Sequence, residues 1–513
     1  MKKIVLNILL LLCSLAVSAQ IQLKESSAEI FESVRKTLNS ETNYNLIGCD
    51  SANFYLLFGN KTLCKLNAAV THSQTFDLPT RLGGEALFNF CGAENMGLIG
   101  LKQDEDGLIL SRLTLDKTDN AFEREQMVVL PAEEDDKYQL NTVEATNGSA
   151  RAALITIISA GKEYRTSYVL VFGSEGDLLW QTEINPHFEQ PHFTFNDIAV
   201  AANGTEVYIV GKSYDFNENF ASNTVLQLFT IDQSGVIDHI SEKCPFAEIR
   251  SLKCKLLNNN NLFIAGFYRN SSEDETDGGT FSAVLDKQRN SFDLVSKTYG
   301  ESLTRGMKAG TVFKPNFTKK VAGIYELSDS NIVVLGEDRQ TKINTKSGYN
   351  GAWSQYSFNA GNIFAGFYAP DGTLRKMSVI YKQQTGSTLD LKKTAQITAE
   401  QVINDFRHQL ISFSTIQSGD KLLLIFNDNV KNPVHQNIAR RETLEVAKLK
   451  TDCATALCSI EGTTIARRKM LLINTQKTER AFMDVVYANN RKALLLIQLM
   501  KSRGNFTFEL LNY

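Results

Sequence analysis

Absences narrow the reading of this 513-residue chain before any motif does. There is no Gly-x-Ser-x-Gly elbow, no His-Glu-x-x-His and no phosphate-binding glycine loop, so the local signatures of the commonest hydrolases and nucleotide enzymes are missing. No pair of Cys-x-x-Cys spacings exists, which removes the usual structural zinc sites. WD, kelch and Asp-box signatures are absent as well. Beyond the first twenty residues, no apolar run reaches the roughly 18 to 20 residues that a membrane-spanning helix needs. Charge of one sign is lacking too: 54 basic against 57 acidic side chains leave a formal charge of -3. Nucleic-acid binders carry a basic stripe, so no nucleic-acid partner is expected.

The one long apolar run stands at the start. Lys2 and Lys3 precede Ile4 to Val17, and Val17-Ser18-Ala19 places small residues where a signal peptidase reads. This predicts a cleaved secretory signal peptide over 1–19 and export to the periplasm, cell surface or medium. A lipid anchor on Cys13 is disfavoured because Leu12 stands where that processing wants a small residue. Without Lys2 and Lys3 the formal charge moves from -3 to -5.

Seven cysteines would remain: Cys49, Cys64, Cys91, Cys244, Cys254, Cys453 and Cys458. An odd number leaves at least one thiol without an intramolecular partner. Cys453 and Cys458 are close enough in sequence to close a small loop as a disulfide in an oxidising compartment. Cys49 and Cys91 end apolar stretches and read as buried thiols.

What is present is a repeat. Asn203-Gly204, a turn dipeptide that tolerates positive φ, precedes the β-branched and aromatic run Val207 to Val210, which reads as a strand that Gly211 closes. The same order of turn, strand and small residue recurs at Asn147-Gly148, Asn259-Asn260-Asn261, Asp329-Ser330-Asn331, Ser418-Gly419-Asp420 and Asn489-Asn490. Cys49 to Phe54 and Cys91 to Met96 begin two further copies, which makes eight candidate units. Asn147, Asn203 and Asn259 are 56 residues apart, a period that points to a propeller or array.

Between Phe193 and Phe246 one unit reads as four short antiparallel strands, near Phe195 to Val200, Val207 to Val210, Val225 to Ile231 and Val236 to Ser241. A second turn signal runs in phase as Asp106-Gly107, Glu175-Gly176, Ser234-Gly235 and Asp371-Gly372, assigned to the third turn of each unit. The expected fold is therefore all-β: a β-propeller of four-stranded antiparallel blades over 44–513, about eight of them with seven as the alternative. A porin-like barrel is the structural rival, but Leu422 to Phe426 and Leu494 to Ile497 are apolar at successive positions rather than alternating.

The C-terminus supplies three strands and stops. Ile21-Gln22-Leu23, in the segment 20–43, is expected to add the missing strand and close the ring, and residues 26–40 carry a helix-like spacing.

In such a meander the connections from strand two to strand three share one face. Here they are long: Ser213 to Asn223, Tyr268 to Thr280, Glu337 to Gln355 and Asn427 to Arg441. Long connections on a rigid scaffold concentrate binding residues. Tyr214, Tyr268, Arg269, Arg339, Tyr349, Trp353, His435 and Arg440 are the candidate ligand-binding residues, with Phe216, Phe220, Asp338 and Arg441 among them. Aromatics beside arginine suit carbohydrate or protein recognition.

No cofactor is required, although two acidic stretches raise calcium. Asp215 to Asn219 lacks the EF-hand glycine and terminal glutamate, and Glu273 to Gly278 has Val284 at its twelfth position. A looser site on clustered hard oxygens stays open. His187 and His192 are separated by Pro191 and read as a polar linker rather than a metal pair. Glu133 to Asp136 reads as a solvated charge run, and Arg467-Arg468-Lys469 is too short for a nucleic-acid patch.

The signal peptide ending Ser18-Ala19-Gln20, with Asn203-Gly204 to Gly211 followed by Phe229 to Gly235, resembles the uncharacterised secreted β-propeller repeat proteins of Bacteroidota. The resemblance covers about residues 44–513 through structural motifs, and implies envelope or extracellular residence without an activity. The leading expectation is an exported, non-catalytic propeller that binds a glycan or envelope protein through its long-connection face. The alternative is a polysaccharide hydrolase or lyase with carboxylates scattered over several blades.

Overall fold

The turn signals mark the joints of eight sheets in a computed structural model, antiparallel except for one short parallel pairing in the sixth. The structure describes residues 22–24, 44–50, 52–58, 62–70, 73–77, 84–92, 94–117, 121–146, 148–158, 164–184, 192–217, 220–270, 277–286, 291–300, 318–327, 331–348, 351–387, 412–432, 444–445, 452–466, 468–474, 480–488, 492–499 and 505–512. The signal-peptide and helix expectations for residues 1–21 and 26–40 lie outside these.

Each sheet is one blade, and the blades follow one another along the chain. Blade 1 begins with Tyr44–Cys49, blade 2 with Glu85–Cys91, blade 3 with Lys137–Glu144 and blade 4 with His192–Val200. Blades 5 to 8 begin with Glu248–Leu256, Thr318–Glu326, Phe413–Ser418 and Arg480–Ala488. Blade 8 has three strands of its own, and Gln22–Lys24 supplies the fourth, pairing antiparallel with Asn512 to Leu510. The first strand of blade 8 lies against that of blade 1, so the ring closes on eight blades.

Period-two alternation holds the ring together. In the second strand of blade 4, Val207–Asn217, Val207 and Ile209 pack into the seam with blade 3 while Tyr208 and Val210 pack into the seam with blade 5. In blade 6, Val333 and Leu335 face blade 7, and Ile332 and Val334 face blade 5. Both faces of these strands are buried, so the runs must be continuously apolar. Each fully buried aliphatic side chain contributes on the order of 1.5–3 kcal/mol. That answers why the porin pattern is missing.

Gly211 and Gly336 do not end their strands, which run on to Asn217 and Gly348. Each instead stands opposite a β-bulge in the first strand, at Phe195/Asp197 and Val321/Gly323. Equivalent bulges occur in the first strands of blades 1, 2, 5 and 8. Neither glycine has positive φ; close approach requires them. A Cβ at Gly211 would stand 2.8 Å from the Phe193 ring, and one at Gly336 2.3 Å from the Phe267 ring of blade 5.

Three further expectations are corrected. Asp106-Gly107 joins strands two and three of blade 2, not three and four; the other three pairs do form third turns, each with its glycine at positive φ. Cys453 and Cys458 both lie in the strand Cys453–Glu461. Five positions apart along one strand, they sit about 16 Å from each other on opposite faces, so no disulfide can join them. Cys91 is exposed and Cys49 half-buried, where buried thiols were expected.

Candidate functional site

Two of the long connections are largely strand. Ser213 to Asn223 is the tip of a hairpin formed by Val207–Asn217 and Phe220–Asp232. Glu337 to Gln355 belongs to an arm formed by Ile332–Gly348 and Gly351–Tyr368, paired to its end at Gly348 and Gly351. The first strand of blade 6 begins at Thr318, opposite Arg339, so the arm extends beyond it. Gln384–Ser387 and Leu444–Glu445 widen the arm's base on the other side.

At the end of the ring where these hairpins emerge, polar side chains link five blades. Lys212 of blade 4 donates to the Ile249 carbonyl at 2.6 Å and stands 5.6 Å from the Tyr214 ring centre. Burial pushes the Lys212 pKa down, with Glu248 offsetting part of the effect. Glu248 pairs with Arg269 across the strands of blade 5 and with Arg250 at 3.2 Å. Arg250 is the extra residue of the blade-5 bulge, and bulges re-aim a side chain. Its Nη2 donates to Thr318 Oγ1 of blade 6 at 2.9 Å.

The chain of contacts continues through Arg339, which donates to Glu337 Oε2 at 2.6 Å and to Ser412 Oγ at 3.0 Å. Ser412 Oγ donates to the same Glu337 oxygen at 2.9 Å. Lys382 Nζ lies 2.6 Å from Glu337 Oε1 and donates to Gln384 Oε1 at 2.8 Å. Gln384 then donates to the Asn427 carbonyl in blade 7, and the Asn427 side chain brackets Phe482 in blade 8 through its N–H and its carbonyl.

Glu337 and Lys382 are both fully buried. Burial alone would raise the Glu337 carboxyl, but Lys382 and Arg339 outweigh it and hold it down at about 2. Asp338, the next residue, behaves oppositely. It is 0% exposed, burial pushes it up to about 7, and Lys319 offsets this only in part from 3.6 Å.

Of the candidate residues, Tyr214, Arg269 and Arg339 come together on this girdle. Arg269 and Arg339 remain 15% and 26% exposed, within reach of a ligand. Tyr268 does not serve there: it is buried and stacked on Phe246, ring centres 4.4 Å apart, in the seam between blades 4 and 5. Trp353 lies on the arm in register with Lys346. Tyr349, His435 and Arg440 lie outside the described residues. Sequence reading missed Lys212, Glu248, Arg250, Glu337 and Lys382, which stand in strands or in a stretch with no turn signal. The one available cue was charge interrupting an apolar strand, as in Leu335-Gly336-Glu337-Asp338.

The remaining charged motifs resolve individually. Asp215 and Asn217 are in strand, and Asn223 donates to Asp215 Oδ2 at 2.9 Å. Asp136 is buried and accepts from the Glu133 N–H, so one member of that acidic run is structural rather than solvated. Arg468 pairs with buried Asp428 and lies over the Phe426 ring. Among the described residues no three His, Cys, Asp or Glu side chains are grouped to hold a metal.

Two cavities run along the central channel. One, of about 350 Å³, is lined by the first strands of blades 1 to 3; the other, of about 240 Å³, by those of blades 3 to 6. Thr142, Val143 and Glu144 line both.

No protein-family model and no curated protein matches this chain. Among solved structures it is similar to the polysaccharide lyase Uly1, at 7% identity over 86% of this chain and 94% of that one, TM-score 0.39. It is similar also to a protein from Lactobacillus plantarum, at 10% identity over 84% and 96%, TM-score 0.37. A third is the β-propeller domain of the Trilobed protease from Pyrococcus furiosus, at 8% identity over 84% and 93%, TM-score 0.33. At these values the likenesses say nothing of function, and the fold rests on the strand order itself.

Proposed function

We propose that this chain is an exported, non-catalytic binding or scaffold propeller that recognises a glycan or an envelope protein through the face bearing its long hairpins. The observation that carries the reading is the girdle: the Glu248 and Glu337 carboxylates hold Arg250, Arg269 and Arg339 within their own blades, the Thr318 and Ser412 hydroxyls tie Arg250 and Arg339 to the next blade, and the Tyr214 ring lies beside Lys212. Groups held in place lose little freedom on binding, which favours affinity. The same end of the ring carries the arm, which adds a surface that a flat rim lacks.

A second reading, a polysaccharide hydrolase or lyase, draws on Glu337 and Asp338, whose carboxyls are driven apart to about 2 and about 7. Such a split marks acid–base pairs. Here both carboxyls are fully buried, and as neighbours in one strand they enter opposite seams, so no one substrate reaches both. The export signal of residues 1–19 supports an envelope setting, and among the described residues no helix is long and apolar enough to cross a membrane. The test between the readings is turnover by the purified chain, residues 20–513, on a broad polysaccharide panel with calcium and with a chelator. Binding without product supports the proposal; new reducing ends or unsaturated products would overturn it.

A further inference from the structure

The seam between blades 5 and 6 holds a fully buried carboxyl, that of Asp338. Asp338 is the last acidic residue of its strand before the arm leaves the blade. It is opposed by two residues, Gly361 and Asn362, because the register shifts between Glu337 and Arg339. The strands are tight there: a Cβ at Gly361 would stand 2.9 Å from that of Asp338. Among the described residues, neither Asp338 oxygen has a hydrogen-bond partner.

Lys319, directly across the strand pair, is the cation nearest to it, yet its Nζ stays 3.6 Å from Oδ1. The ammonium is held instead between two rings, 5.3 Å from the Tyr299 centre and 5.6 Å from that of Phe364. Lys382 acts on Asp338 from behind the strand but is committed to Glu337. On the blade-5 side the charged groups are Glu248, Arg250 and Arg269, tied to one another and to Thr318. Asp338 therefore lies fully buried at the end of the apolar seam that holds Phe267 and Phe364, with one poorly placed cation.

We propose that Asp338 is a proton switch at the root of the blade-6 arm: the seam is closed while its carboxyl carries a proton, and ionisation favours an opened seam in which the carboxylate meets water. A carboxylate without partners costs several kcal/mol in such a setting, whereas the neutral acid costs far less. Water reaches Asp338 only if the arm root separates from blade 5, so the proton and the arm's seating are linked. The direction of the Asp338 shift, raised by burial to about 7, supports a changeover near neutral pH.

The experiment is amide hydrogen exchange on the full mature chain at several pH values from about 5 to 8.5, corrected for intrinsic exchange. Strands 318–326 and 332–340 are compared with strands of blade 3. Linkage limits the gain in opening to about tenfold per pH unit below the folded-state pKa, with a plateau above it. The expected result is that rise in blade 6 alone, lost in Asp338→Asn. Should that variant not fold, infrared difference spectra of the native chain between pH 5 and 9 give a second readout. A protonated-carboxyl carbonyl band that vanishes as exchange rises supports the switch. A blade-6 profile that is flat with pH, or equal to that of blade 3, overturns it, and so does a carboxyl band that vanishes without any change in exchange.

Discussion

Glu337 and Asp338 are consecutive in one strand and enter opposite interblade seams, Glu337 against Lys382 and Arg339, Asp338 against Lys319. Strand alternation sends them apart, and the quality of each pairing then decides its protonation. The pair therefore makes two stability predictions of opposite sign.

For Asp338, the folded-state pKa of about 7 lies above the ordinary 3.8 of the unfolded chain. The folded form thus holds a proton more tightly, and stability falls as pH rises from about 4 to 7. Asp338→Asn should remove that slope and raise stability above pH 7 by on the order of 2 to 4 kcal/mol. Urea melts at pH 5 and pH 8 check it; equal pH slopes for both proteins would refute it.

For Glu337 the sign reverses. Its folded-state value of about 2 lies below the ordinary 4.5, so its contribution is present above about pH 4.5 and is lost as pH falls through 2. Glu337→Gln strands Lys382, a fully buried cation, and should cost about 3 to 5 kcal/mol at pH 7. The difference from the native chain should shrink in acid, and thermal melts from pH 7 to 3 would reveal a constant gap if this assignment is wrong.

Ring closure rests on three backbone pairings of Gln22, Leu23 and Lys24. A chain beginning at residue 28 leaves the edge Asn505–Asn512 unpaired, and such edges recruit other strands. Lower melting temperature and concentration-dependent association are expected, both relieved by a synthetic peptide of residues 20–28. Unchanged stability of the shortened chain would contradict the closure.

Gly336→Val forces a branched side chain into the Phe267 ring, and overpacking of this kind costs about 1–3 kcal/mol or more. A neutral effect on denaturant midpoint would show that the seam between blades 5 and 6 is looser than described.

Much of the fold was legible because its grammar is local. Turn dipeptides such as Asn203-Gly204 and doubly apolar strands such as Leu422 to Phe426 are visible in a few consecutive residues. The closing strand was readable because blade 8 was one strand short. Other features depend on partners far away in sequence. Gly211 looks like a terminator until the bulge opposite it is known, and Cys453 and Cys458 look like a loop pair until one strand is seen to hold both. The girdle was least legible: Lys212 meets Ile249, and Glu337 meets Lys382, across distances no motif spans. Connection length marked where the hairpins leave the ring, while most of the residues that link the blades there were not legible.

The central claim is that the hairpin face binds, and the arm offers the most direct test. Replacing Ile343–Tyr356 with Asn-Gly reconnects Lys342 and Ser357, which are paired in register, and leaves the girdle in place. The native and shortened chains, residues 20–513 with equal melting temperatures, are compared on a glycan array and in pull-downs from envelope extract. The account predicts a glycan or envelope-protein signal for the native chain that falls at least tenfold in the shortened one and in Arg269→Ala. A signal undiminished in both would place recognition elsewhere on the ring and contradict the account.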